Sequence, residues 1–230
     1  MMKKATAEEA VAVTSVFWDI KMFPVPPGFD ARRVGPCIKR LLEKYGYFGP
    51  LTINAVGLLT DVHDDILGAL SSSGINTYYG PFGASADIMW LFYEWTQKNP
   101  PPTNILAICD RTGLRPTREF NIFGPFSYSS PRYFRQEDAI NWISLILAES
   151  EAVGEDTCSE TGEYFCSICY RYDHPGQGFE SFKRHLSSLE HTRKKLALLH
   201  PRREMFEEDP TIVRFQPEAS FFVFGFNIDF

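Results

Sequence analysis

The sequence lacks several features that would each have indicated a class of protein. It has only 5 cysteines in 230 residues, an odd number that argues against a disulfide framework and favours a reducing compartment. No apolar run approaches the roughly 18 residues that a membrane span needs, and the opening MMKKATAEEA is too short and acidic for a signal or transit peptide. A phosphate-binding glycine loop is also absent, which argues against a nucleotide-binding α/β domain. We therefore expect an intracellular protein, cytoplasmic or nuclear, that does not contact a membrane.

The chain also lacks an overall positive charge, since its formal net charge is −6. The charge is nevertheless uneven along the sequence. Residues 166–196 contain six basic and three acidic side chains, a net charge of +3, which leaves −9 for the rest of the chain. A basic segment attached to an acidic body indicates a division of labour between the two.

Residues 13–147 alternate between strand and helix patterns. Strands are predicted at 14–19, 51–60, 75–82, 104–110 and 120–126, and helices at 30–45, 64–70, 85–97 and 137–149. This alternation is typical of an α/β fold, in which a parallel sheet is flanked by helices. Sites in such folds form beyond the carboxyl ends of the strands.

Three further segments follow the predicted α/β domain. Residues 148–163 are acidic and polar and predict a linker, and residues 164–198 form a small module of their own. Residues 199–230 form a C-terminal tail that ends in the aromatic sequence FFVFGFNIDF. We expect this tail to be an added strand or a segment that binds a protein partner.

The small module contains a C-x2-C pair followed after fifteen residues by an H-x5-H pair. Zinc takes four thiolate or imidazole ligands in a tetrahedron, so the predicted ligands are Cys166, Cys169, His185 and His191. We expect a ββα-type zinc finger whose hydrophobic core is too small to be stable without the metal. His174 is a rival ligand, and a chance proximity of the four residues is the alternative.

Three acids fall at predicted strand or helix ends of the larger domain. Asp19 follows the first strand, Asp87 begins the 85–97 helix, and Asp110 follows the fourth strand. Carboxylates that converge at one edge of a sheet are suitable ligands for Mg²⁺ or Mn²⁺. The alternative is that each one caps a helix or forms a turn.

The sequence FCSIC…FKRHLSSLEHTRKK resembles the matrin-type zinc finger, a family found in proteins that bind double-stranded RNA. The resemblance implies that a basic surface meets an RNA phosphate backbone and detects its shape more than its sequence. A helix that binds a protein is the alternative. The basic residues implied are Lys183, Arg184, Arg193, Lys194 and Lys195.

The sequences VFWDIKMFPVPPG, GPFGASADIMWLFYEW and ILAICDRTG resemble the NYN domain, a branch of the PIN-like ribonuclease fold, most closely in its limkain-type members. The resemblance covers roughly residues 13–147 and implies a PIN-like sheet and a metal-dependent endoribonuclease. By motif position, Asp19, Asp87 and Asp110 match three metal-binding acids of the family.

The sequence departs from the family pattern at two of these motifs. Lys21, Met22 and Phe23 stand where the family has Glu-Asn-Cys, and Thr112-Gly113 stand where it has Asp-Phe. These departures leave two hypotheses open. The first is an active endoribonuclease that docks RNA through the zinc finger. The second is a catalytically impaired relative that serves as an RNA-binding or protein-interaction module.

Overall fold

A computed structural model describes residues 2–82, 84–109, 114, 120–125, 136–151, 161–169 and 178–199. The strands are β1 (Thr14–Asp19), β2 (Leu51–Gly57), β3 (Ile75–Tyr79), β4 (Asn104–Ile108), β5 (Asn121–Phe123) and β6 (Tyr164–Cys166). The helices are α1 (Ala7–Val11), α2 (Val34–Lys44), α3 (Asp64–Ser72), α4 (Ala84–Lys98), α5 (Gln136–Ser150), α6 (Phe179–Leu186) and α7 (Leu189–Leu199). The strands form one sheet in the order β5-β4-β1-β2-β3-β6, and every pair of neighbours is parallel. The predicted α/β fold with a parallel sheet is confirmed.

Four strands, β2 to β5, end earlier than the sequence predicted, and strand pairing gives the reason for the first three. β2 ends at Gly57, opposite the end of β3 at Tyr79, and β1 ends at Asp19, opposite Val56. β4 likewise ends at Ile108, opposite Trp18. Past these positions the regular ladder stops, although the Gly80 N–H still donates to the Gly57 carbonyl at 3.0 Å, and the apolar residues that follow leave the sheet.

The core lies on both faces of the sheet because alternate strand residues point to opposite faces. One face packs Trp18 against Trp142 of α5, with their ring centroids 5.7 Å apart, and also covers side chains of α2 and α3. The other face packs Phe17 and Val56 against α4. Every residue of β1 is buried, as expected for a central strand covered on both sides.

The sequence analysis did not predict that β6 would belong to the main sheet. β6 pairs with β3, and Tyr79 lies opposite Cys166. Gly162 allows the chain to approach β3 closely, because a Cβ at this position would lie 2.0 Å from the Ile75 carbonyl oxygen. The second strand of the predicted ββα hairpin would fall within 170–177, outside the described residues. The first predicted zinc ligand is thus a residue of the edge strand of the large sheet.

None of the helices in the described ranges combines the length and the apolar character needed to cross a membrane. The four cysteines that the structure describes, Cys37, Cys109, Cys166 and Cys169, are not joined by disulfides. The predicted linker at 148–163 and the C-terminal tail lie largely outside the described residues, so the predicted domain bounds remain predictions.

Candidate metal centres at the carboxyl edge of the sheet

Asp19 is the last residue of β1, and its side chain is held by the turn that follows. Its Oδ1 atom accepts backbone N–H bonds from Lys21 at 3.0 Å and from Met22 at 2.9 Å. The Phe23 N–H donates to the Asp19 carbonyl oxygen at 2.9 Å. The residue is only 4% exposed. Lys21-Met22-Phe23 therefore forms a tight turn that fixes the carboxylate through backbone donors, which stabilise its charged form.

Asp87 lies in the first turn of α4 and is 1% exposed. Burial raises the pKa of its carboxyl group to about 7, although a hydrogen bond from the Phe82 backbone acts in the opposite direction. Gly80 packs directly against this carboxyl group, since a Cβ at Gly80 would lie 2.1 Å from Asp87 Oδ2. The residue after β3 must be glycine for Asp87 to hold this position.

The two acids share the carboxyl edge of the sheet. Asp19 lies opposite Val56 in the β1–β2 pair, and the Gly80 N–H donates to the Gly57 carbonyl oxygen at 3.0 Å. The carboxyl ends of β1, β2 and β3 thus lie side by side. Asp19 lies at the end of β1, and Asp87 packs against Gly80, directly after β3. Asp110, the third predicted acid, lies outside the described residues.

The chemistry of Asp19 and Asp87 fits a hard divalent cation. Carboxylate oxygens are the ligands that Mg²⁺ and Mn²⁺ prefer. A nearby cation would favour the charged form of Asp87, which burial alone disfavours. Asp19 and Asp87 thus lie at one edge of the sheet, and their role as metal ligands stays a prediction.

A second group of potential metal ligands lies beside the carboxyl end of the edge strand β6. The ligand atoms of Cys166, Cys169, His185 and His191 all lie within 4.8 Å of one another. His191 Nδ1 is 3.5 Å from Cys166 Sγ and 3.7 Å from Cys169 Sγ. In a tetrahedron with typical Zn–S and Zn–N bonds, the S···N edge is about 3.6 Å. Among the residues that the structure describes, these four are the one group of three or more potential ligands close enough to share an ion.

Local structure explains why a C-x2-C and an H-x5-H spacing converge here. A turn after β6, in which Cys169 N–H donates to the Cys166 carbonyl at 3.3 Å, places both thiols together. α6 ends at Leu186 and α7 begins at Leu189. Ser188 stabilises this break by accepting the His191 N–H on its hydroxyl at 3.1 Å. The break lets His185 and His191 face the same point, with their rings 5.1 Å apart.

The protonation of this group suits a metal that replaces protons. Burial, together with the nearby His185 and Lys195, lowers the pKa of His191 to about 4. Burial also lowers the pKa of His185 and raises the pKa of the Cys166 thiol. Both imidazoles are therefore neutral at pH 7, as ligands must be. A divalent ion would compensate the cost of the buried thiolates.

The Cys/His cluster, defined as these four ligands, is embedded in the main core. Phe182 of α6 stacks on Tyr164 of β6 with ring centroids 5.1 Å apart, and its burial contributes about 1.5–3 kcal/mol. The Tyr164 hydroxyl donates to the Leu67 carbonyl of α3 at 3.1 Å. Phe179 and Leu186 also pack here, against the large core, so the predicted small core of a separate finger is not formed by these residues.

The predicted basic residues differ in their surroundings. Lys183 forms an ion pair with Asp64 of α3, and Lys194 pairs with Glu190 at 2.8 Å. Lys195 Nζ lies 5.8 Å from the centre of the Tyr79 ring. Arg184 on α6 and Arg193 on α7 are exposed. The rival ligand His174 lies outside the described residues.

Sequence reasoning missed Tyr79 and Gly80, which lie between the two groups of ligands. The Tyr79 ring contacts His191, and the residue is 1% exposed. The sequence YYGPFG does place a glycine near the end of a predicted strand and a few residues before an acid. It does not show that this strand has β6 as a neighbour.

Comparison with protein-family models finds a match to the NYN domain over residues 13–116. The matched segment contains Asp19, Asp87 and Asp110, and the Cys/His cluster lies beyond it. A search of curated proteins finds no match. The NYN/PIN-like part of the sequence interpretation is thus confirmed for this segment.

Proposed function

We propose that this protein is a metal-dependent endoribonuclease-like protein that acts on RNA at the carboxyl edge of its sheet. The observation that carries the proposal is the burial of Asp19 and Asp87 at that edge within the segment that matches the NYN domain. Such a match suggests a ribonuclease-like function. The resemblance of the motifs to limkain-type members supports the same conclusion.

In this proposal Asp19, Asp87 and Asp110 hold one Mg²⁺ or Mn²⁺ ion. When bound, such an ion activates a water molecule and stabilises the charge that develops at phosphorus. The turn at Lys21 and Met22 keeps the Asp19 carboxylate in place. Asp87 comes from a helix that also packs on β1 and β2, so its backbone position is set by the core.

The Cys/His cluster holds Zn²⁺ in this proposal, because the S···N distances of 3.5 and 3.7 Å match a tetrahedral zinc site. RNA docks on the basic side chains of α6 and α7 that the matrin-type resemblance implies. Zinc content per chain, measured by mass spectrometry of the purified protein, tests the choice of metal. A preparation that is fully folded without metal would contradict it.

A second candidate function is a non-catalytic module that binds RNA or a protein. It is favoured by the turn after β1, where Met22 provides a backbone N–H instead of the polar side chain usual in the family. Thr112-Gly113 also replaces an acid of the family pattern. In this case the basic surface and the aromatic tail at 199–230 would carry the function, the tail by binding a protein partner inside the cell. Comparison of self-association and partner capture with and without residues 199–230 tests the tail.

Cleavage of labelled single-stranded RNA in the presence of Mn²⁺ distinguishes the two functions. The wild type is compared with an Asp19→Asn/Asp110→Asn double variant, and Asp61→Asn is the control. Asp61 is an acid near the same edge, but its side chain is 52% exposed and pairs with Lys21.

We expect cleavage by the wild type and the control, and a loss of at least about 100-fold in the double variant. Equal cleavage by the wild type and the double variant would contradict the nuclease proposal. If none of the three cleaves but all retain RNA, and Lys194→Ala/Lys195→Ala weakens retention, the second function is supported.

A further inference from the structure

β6 is too short to hold its place in the sheet by pairing alone. It has three residues, and it forms one edge of the sheet, so β3 is the only strand with which it pairs. The Cys/His cluster takes Cys166 from the end of β6, Cys169 from the next turn, and one histidine each from α6 and α7. An ion bound to these ligands would join the edge strand to both helices.

Tyr79 transmits this support to β3. Its carbonyl oxygen accepts the Ser167 N–H at 3.1 Å, one residue beyond Cys166. Its ring meets the His191 ring edge to face, with the centroids 5.1 Å apart. Lys195 of α7 covers the same ring. The end of β3 is therefore enclosed by the residue after one ligand and by the ring of another.

The next residue, Gly80, is in direct packing contact with the Asp87 carboxyl group. Its N–H is bonded to Gly57, so its backbone is fixed to β2 on one side. On the other side its α-carbon lies so near Asp87 that a methyl group could not be added. Because packed groups at this separation cannot move independently, a shift of Tyr79 displaces the Asp87 carboxyl group.

We propose that the metal ion of the Cys/His cluster positions Asp87 through Tyr79 and Gly80, so that the cluster controls the geometry of the acidic edge. The cluster is then a positioning element of the large domain as well as a support for a docking surface. The importance of Asp87 rests on the proposed function. Binding at the two sites is coupled, and the coupling acts equally in both directions.

Hydrogen exchange measured on the full chain tests this inference without RNA or activity. We compare zinc-loaded wild type, the wild type after zinc removal and re-addition, and Cys169→Ser. Cys169 is the more exposed of the two thiol ligands, so its loss perturbs the core least. Cys169→His keeps a possible ligand, and Cys37→Ala alters a buried cysteine outside the cluster. Amides at 34–44 in α2 serve as the internal reference.

We expect exchange at 77–91 to rise about tenfold or more when the metal is lost, with little change at 34–44. Zinc re-addition restores protection in the wild type, and Cys169→His and zinc-loaded Cys37→Ala retain it. Equal protection at 77–91 in Cys169→Ser and zinc-loaded wild type would overturn the inference. An equal loss at 34–44 would also overturn it, because it would show general destabilisation.

Mn²⁺ binding, followed by the paramagnetic resonance of the free ion, separates this inference from the proposed function. We expect Cys169→Ser to bind Mn²⁺ about tenfold more weakly than zinc-loaded wild type. An unchanged Mn²⁺ affinity would overturn the inference. If the wild type binds no Mn²⁺, the proposed catalytic ion is wrong, and the exchange at 77–91 still decides the role of the cluster.

Discussion

The acidic edge and the Cys/His cluster share one side of the sheet but are assembled in different ways. Asp19 and Asp87 lie 68 positions apart in the sequence and reach the same edge of the sheet because β1, β2 and β3 are paired. The four cluster ligands come from residues 166–191 and converge through one turn and one helix break. Cys166 and Asp19 are three strand spacings apart, about 14 Å.

The acidic edge depends on the fold for its geometry, whereas the Cys/His cluster helps to hold the fold together. The acids are placed by a core that exists without them, and their burial costs free energy. The cluster joins a three-residue edge strand to two short helices, so a metal bound there would contribute directly to folding. One site should therefore lose function when altered, and the other should lose structure.

The largest effect is expected for Cys166→Ser. Loss of a thiolate from a buried metal site should remove the bound zinc and lower the free energy of unfolding by at least about 3 kcal/mol. Zinc content and denaturant unfolding measure the two effects. Cys37→Ala, a buried cysteine of α2, should cost stability but keep its zinc. Full zinc retention in Cys166→Ser would show that the four residues do not form the site.

Asp87→Asn should raise the free energy of unfolding, when it is measured on zinc-loaded protein without Mg²⁺ or Mn²⁺. The pKa of Asp87 is about 7 in the folded protein against 3.8 as its ordinary value. Between these values the unfolded chain releases its proton and the folded protein keeps it, so the wild type loses stability as pH rises. The variant should gain up to about 4 kcal/mol over the wild type by pH 8, and nothing at pH 3.5.

Unfolding curves at several pH values measure this gain. Addition of Mn²⁺ should stabilise the wild type at pH 8 and leave Asp87→Asn unchanged. A variant whose stability relative to the wild type does not change with pH would refute the raised pKa.

Gly80→Ala should disturb the acidic edge and spare the metal of the cluster. The added methyl group would lie 2.1 Å from Asp87 Oδ2, so the carboxyl group must move, at a cost of about 1–3 kcal/mol. Mn²⁺ affinity should fall while zinc content stays that of the wild type. Gly68→Ala is the matched control, because nothing lies within 4 Å of a Cβ there. Normal Mn²⁺ affinity in Gly80→Ala would contradict the contact.

The smallest effects are expected on the basic surface. Arg193→Ala should weaken RNA binding about two- to fivefold and reduce the salt dependence by about one ion. Lys183→Ala should have a smaller effect, because Lys183 already pairs with Asp64. Titration with a labelled RNA duplex at several salt concentrations measures both. If both variants lose the same RNA affinity and the same salt dependence, the ion pair with Asp64 does not reduce the contribution of Lys183 to RNA binding.

Much of the fold could be predicted because its elements have strong local patterns. β1 matches its predicted bounds, and Asp30 caps the helical segment that begins at 31, as its sequence indicated. Strand ends were predicted less well, since apolar residues continue past Gly57 and Tyr79 where pairing stops. The four cluster ligands could be identified from spacing alone because they are close in sequence.

The sequence by itself determined the α/β class of the fold and picked out the four residues that the structure brings together in the cluster; the roles of Asp19, Asp87 and Asp110 stay predictions. The fold class and the cluster depend on residue type and short spacing, which act over a few turns of chain. Only the tertiary structure decided that β6 joins the large sheet and that Tyr79 and Gly80 lie between the cluster and Asp87. Pairing between β3 and β6 depends on which backbone edge is left open once the other strands have assembled. The local sequence of β3 or β6 does not indicate that the free edge of β3 is where β6 pairs.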